Sequence, residues 1–175
     1  RGLGDVYKRQ AQNTVTDYFP VEKEYGYSVF STVFYAEFLN KKLNVIDCPG
    51  ADDFIGGALT AMNVTDTGVI VIDSQYGVEV GTQNIFRYTE EMQKPVIFAM
   101  NQLDGEKADY DAVIEQLRED FGSKVVPIQY PIVSGPNFNA MIDVLLMKMY
   151  SWGPDGGTPT ISDIPADQKE KALEL

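Results

Sequence analysis

Two short loops constrain this chain more than anything else in it: Asp47-Cys48-Pro49-Gly50 and Asn101-Gln102-Leu103-Asp104. Each follows an apolar run, Leu43 to Ile46 and Val96 to Met100, that reads as a buried strand. From residue 43 to residue 132, strand-like runs alternate with helical patterns. Such alternation marks βαβ units and predicts an α/β fold with a doubly wound, mainly parallel sheet. In that architecture ligands bind beyond the carboxyl ends of the strands, where both loops fall.

The remaining elements follow from spacing. Tyr25 to Phe38 is dense in aromatic and β-branched residues and is expected as a strand. Asn40-Lys41-Lys42 forms a polar turn, so this strand pairs with Leu43 to Ile46 as a hairpin. Asp52 to Val64 has helical spacing, and Gly56-Gly57 within it costs about 1 kcal/mol each relative to alanine, which predicts a mobile or closely packed helix. Gly68 to Ile72 is an apolar strand, Gly81 to Met92 a helix, and Asp109 to Phe121 an amphipathic helix through Tyr110, Val113, Ile114 and Leu117. Lys124 to Ile132 is a strand interrupted by two prolines. After Ile132 come a turn at Ser134 to Asn137, an apolar stretch from Phe138 to Trp152, a Gly/Pro loop from Gly153 to Thr160 and a terminal helix. Met141, Met147 and Met149 are expected to fill gaps in the core.

Composition sets outer bounds. The chain has 175 residues, 44% of them hydrophobic, enough for about one globular domain. No run approaches the roughly 18 apolar residues that cross a bilayer, and a cytoplasmic location is expected. The single cysteine, Cys48, excludes an intrachain disulfide framework and is expected as a small buried residue. A net charge of −12 argues against electrostatic coating of nucleic acid.

The loops carry chemistry. Asp47 is a candidate magnesium ligand through a water, since that ion takes one or two carboxylates together with phosphate oxygens. Pro49 fixes the turn, and Gly50 lets the backbone come within reach of a terminal phosphate. In the second loop, a carboxylate at Asp104 can accept hydrogen bonds from guanine N1–H and its 2-amino group. Adenine offers neither donor there. Asn101 braces the loop. Either loop alone is weak. Together, in this order and at strand ends, they predict a GTP-binding domain.

With these motifs in place, the chain from Asn13 to Leu175 resembles the G domain of translational GTPases, most of all elongation factor G. Asp47 to Gly50 is similar to the D-T-P-G-H loop with Cys48 at the threonine, and Asn101 to Asp104 to N-K-M-D. Glu24 to Val29 is similar to E-R-G-I-T-I of switch I, Gly77-Val78-Glu79 to the G-G-V-E turn, and Val126 to Ile132 to P-V-P-I-Q-L-P-I. The resemblance implies a P-loop GTPase-type fold, with residues 11–132 a partial G domain and 133–175 the start of an inserted subdomain. It implies a GTP hydrolase that acts on the ribosome in translocation, meeting rRNA and ribosomal proteins as a monomer, with GTP and Mg2+ as ligands. Asp47, Cys48, Pro49, Gly50 and Ala51, with Asn101, Gln102, Leu103 and Asp104, would bind GTP, and Ser28 would join Asp47 on the metal. A ribosomal-protection or release-factor GTPase, or a non-hydrolysing GTP-binding regulator on the ribosome, stays open beside it.

The chain departs from this pattern in three ways. No G-x-x-x-x-G-K-[ST] loop is present. Residues 1–10 resemble the translation of a sequencing adapter, so the chain is expected to be an internal fragment that lacks the first strand and phosphate loop and is itself inactive. Ala51 stands where the family has the histidine that orients the attacking water, and the chain has no histidine at all. A methyl group cannot orient water, so hydrolysis is expected to be slow. Gln102 replaces the lysine of N-K-x-D, which predicts weaker binding with guanine preference kept through Asp104.

Overall fold

The computed structural model describes residues 15–154 and 156–175. The expected adapter-derived stretch, residues 1–10, lies outside them. The chain clusters into two compact units, Arg1–Gly68 with Asn84–Ile97, and Val69–Gln83 with Phe98–Leu175.

The first unit opens with helix α1, Pro20–Tyr25. Proline at its start supplies a preset φ, and Gly26 closes it in the left-handed conformation at φ 75. The long strand expected from Tyr25 is therefore shortened: β1 is Thr32–Phe38. The aromatic density of residues 25–30 imitates a strand, but the amides of Val29 and Phe30 bond to the Glu22 side chain instead of a neighbouring strand. β1 pairs antiparallel with β2, Lys41–Asp47, in a register running from Thr32↔Asp47 to Phe38↔Lys41. The expected hairpin is present, with its turn at Leu39-Asn40 (φ 48 and 59) and both lysines in the ladder. Leu43 and Val45, expected to be buried, are 50% and 36% exposed, so one face of this ribbon meets solvent. A short 3-10 turn, Asp52–Phe54, leads into α2, Ile55–Val64. A side-chain carbon at Gly57 would lie 2.6 Å from Ser31 Oγ and 3.7 Å from Pro49 Cδ, whereas Gly56 faces open space. Close packing, not slackness, explains the second glycine.

β3, Gly68–Asp73, and β4, Val96–Asn101, form a two-stranded sheet connected by α3, Val80–Glu91. The Gly68 amide donates to Pro95 and the Ser74 amide to Asn101, a constant offset that defines a parallel pair. This is the βαβ unit expected of the α/β fold. Its strands are half-buried: Ile70 and Ile72 point inward, while Val69 and Val71 are exposed.

In the second unit, Asp109 caps α4, Tyr110–Phe121, by accepting from the Ala112 amide, and Tyr110, Val113 and Leu117 are its buried face. The strand expected over Lys124 to Ile132 is reduced to β5, Gln129–Pro131, because Pro127 removes a ladder donor. β5 begins an antiparallel meander with β6, Ala140–Asp143, β7, Lys148–Gly153, and β8, Gly156–Asp163. The Gly/Pro loop expected from Gly153 to Thr160 is thus a tight turn into a strand, and Pro159 lies where the β7–β8 register shifts. A 3-10 turn, Ala166–Gln168, and helix α5, Lys169–Glu174, close the chain. Leu103, Tyr110, Tyr130, Ile142, Ile164 and Ala172 make one core, with Met147 and Met149 packed against it.

Candidate functional site

In the first unit, Asp47 ends β2 and is half-buried, Pro49 is buried, and Gly50 and Ala51 are exposed. Nothing stands within 4 Å of where a Gly50 side chain would be, so its backbone is open to an approaching group. Ala51 starts the 3-10 turn, its carbonyl accepting from the Phe54 amide, with Asp52 and Asp53 exposed beside it. Cys48 is half-buried, and its sulfur lies 3.7 Å from the Ile46 carbonyl. Burial pushes its thiol pKa up, a bond with Ser31 pulls it down, and the Asp47 charge raises it again, with a net rise. A thiol held protonated in this way suits packing, not reactivity.

Ser28 is half-buried and its hydroxyl donates to Asp17 Oδ1 at 2.7 Å. That bond uses the proton and leaves the oxygen lone pairs able to face a cation. Ser28 and Asp47 thus offer hard oxygen donors, the chemistry magnesium selects, and they fit that ion. Among the described residues, no group of three or more acidic or thiol side chains gathers into an all-protein cation cage.

Neither composition nor motif singles out Glu22. It is 1% exposed, and its carboxylate accepts three backbone amides, Phe19, Val29 and Phe30, each at 3.1 Å. Burial raises its pKa, the three amides lower it, and the net direction is downward. This clamp fixes the backbone directly after Ser28. Its signal is present in the sequence: proline followed two residues later by glutamate, then glycine after Tyr25, is a helix start and stop.

In the second unit, Asn101 and Gln102 are exposed, Leu103 is buried and Asp104 is half-buried. Gln102 has φ 57, and the loop is held through its carbonyls. The Ser74 amide donates to Asn101 at 3.0 Å, the Ser74 hydroxyl to Gln102 at 2.8 Å and the Gly135 amide to Leu103 at 2.7 Å. The Gly105 amide also donates to the Gln102 carbonyl, and the Ser74 carbonyl accepts from the Asp109 amide. Leu103 reaches into the core described above. Nearby, Gln116 accepts from the Val78 amide at 3.0 Å, and a side-chain carbon at Gly77 would collide with it. Neither Ser74 nor Gly135 carries a motif signal, since a polar residue after a strand and a Ser-Gly-Pro turn are common.

Residues 2–168 match the family described as the elongation factor Tu GTP binding domain. Over 166 residues, 95% of this chain, it is 35% identical to an elongation factor G-like protein of Thermotoga maritima. Over 171 residues it is 33% identical to elongation factor G of Thermotoga sp. strain RQ2. A crystal structure of a Thermus thermophilus protein superposes with a TM-score of 0.84 at 27% identity, covering 94% of this chain and 24% of that one. The chain spans about a quarter of the length of these curated relatives, 24% in each. A G-domain-like α/β fold and a match along nearly the whole chain agree: it belongs to the elongation factor G-like translational GTPases.

Proposed function

We propose that the full-length protein is a ribosome-dependent GTPase of the elongation factor G type that promotes translocation during protein synthesis. The observation that carries this reading is the pair of loops, each at the carboxyl end of a strand, in a chain of this family. Residues 11–132 form the partial G domain and 133–175 open an inserted subdomain. Asp47 to Ala51 meet the terminal phosphate, and Asn101 to Asp104 read guanine. Asp47 and Ser28 would hold magnesium, which would supply positive charge to offset that developing on the phosphate. The partners are rRNA and ribosomal proteins, the site of action is the cytoplasm, and the protein acts as a monomer.

Hydrolysis is slow because Ala51 presents a methyl group where water must be oriented. In the full-length protein with ribosomes, Ala51→His raises the single-turnover rate about 100-fold, the scale of one positioned acid–base group. A wild-type rate equal to that of the histidine variant would sink the slow-hydrolysis reading. The same residue favours a second reading, a GTP-binding regulator that docks on the ribosome without hydrolysis. Ribosomes that bind the GTP form yet never accelerate its hydrolysis would select it.

A further inference from the structure

We propose that Ser74 is a positioning residue for nucleotide specificity, setting the aim of Asp104 through the backbone of the loop that bears it. The inference rests on the guanine-reading role given to Asn101–Asp104. Ser74 is 1% exposed and follows β3 directly. It engages the loop twice, by its amide to Asn101 and its hydroxyl to Gln102, and its own carbonyl is bonded to Asp109 at the start of α4. The Gly135 amide takes the next carbonyl, Leu103. Three successive carbonyls are therefore fixed before the chain reaches Asp104, and the Gly105 amide closes the turn on its other side.

Gln102 is a non-glycine residue at φ 57, a conformation that persists only where the surroundings over-determine it. The hydroxyl bond falls on that residue's carbonyl. Removing the hydroxyl leaves this carbonyl with the Gly105 amide alone and gives the peptide at 102 reason to turn toward water. Rotation there swings Asp104, two residues on. A carboxylate that reads two donors on one base edge tolerates little misalignment, because a hydrogen bond weakens steeply off line. Discrimination thus suffers more than affinity for the rest of the nucleotide.

The test uses full-length protein and two nucleotides, GDP and IDP, which differ only in the 2-amino group. Their dissociation constants are measured by displacement of a fluorescent nucleotide. Wild type prefers GDP. In Ser74→Ala the GDP-over-IDP ratio falls about 3- to 10-fold, the range expected for one lost hydrogen bond. Ser74→Cys, which keeps a weak donor, falls between, and Gly135→Ala, strained at φ 93, lowers the same ratio. Circular dichroism confirms that each variant folds, and Ser74→Cys and Gly135→Ala carry the test if Ser74→Ala does not. A ratio unchanged in the folded variants, whether both affinities drop equally or neither drops, overturns the proposal, because a merely structural serine affects both nucleotides alike. A wild-type protein that fails to prefer GDP refutes the guanine reading itself, a different result, seen before any substitution.

Discussion

At the scale of single residues, the most informative side chain is one that touches no expected ligand. Glu22 holds the amides of Phe19, Val29 and Phe30, and its pKa is lowered as a result. A carboxylate with a depressed folded pKa contributes stability above its unfolded value, here 4.5, and loses it as pH falls through the folded value. The thermal midpoint of wild type should therefore fall more steeply than that of Glu22→Gln between about pH 5 and pH 3. Parallel curves would show the clamp is unimportant. Hydrogen exchange at Val29 and Phe30 should also quicken in Glu22→Gln, with the β1–β2 ladder unchanged. Tyr110 gives the opposite sign. Burial, reinforced by Asp111 and opposed by Arg118, pushes its hydroxyl up to about 12. It donates to the Gln129 carbonyl at 2.9 Å, so Tyr110→Phe should cost about 1–2 kcal/mol in urea unfolding below pH 10 by stranding that acceptor. The positions of both loops at strand ends were legible in the sequence because an apolar run gives way to turn residues at each. Ser74 and Gly135 were not: both donate backbone amides that nearly every residue carries, and a serine after a strand is too common to announce its hydroxyl bond to Gln102.

At the scale of elements, the turn of the β1–β2 hairpin stores removable strain. Both central residues have positive φ, which a two-residue turn needs to match strand twist. Leucine is poorly suited there, and Leu39 is 78% exposed with little packing to lose. Leu39→Asn should stabilise the protein by about 0.5–1 kcal/mol, measured as a higher urea midpoint. No gain would mean the turn relaxes in solution. The paired glycines of α2 should separate likewise. Gly56→Ala should gain about 0.5–1 kcal/mol of helix propensity, while Gly57→Ala should lose that gain against Ser31. Helices α2 to α5 and the β3–α3–β4 unit were legible from their apolar spacing, whereas α1 was not expected. The failures have local causes. Val29 and Phe30 carry β propensity but donate their amides to a buried carboxylate, and Pro127 withholds a ladder donor. The glycines at 156 and 157, at φ 69 and 90, made a hairpin turn look like an open loop.

At the scale of the whole molecule, charge and continuity matter most. A net charge of −12 makes self-repulsion a standing cost. The ion pairs Lys148–Asp163 and Lys171–Asp111 are exposed and offset little of it. Raising sodium chloride from about 50 mM to 500 mM should therefore raise the thermal midpoint, because screening relieves repulsion more than it weakens such pairs. A falling midpoint would show attractive pairs dominate. Continuity concerns the bond from the Gly135 amide to the Leu103 carbonyl. It makes Gly135, in the turn between β5 and β6, a strut for the Asn101–Asp104 loop. Trimming the polypeptide after Ile132 would remove that strut along with the meander. Anyone shortening this scaffold must therefore keep the segment beyond Ile132, which tethers the Asn101–Asp104 loop from a distance.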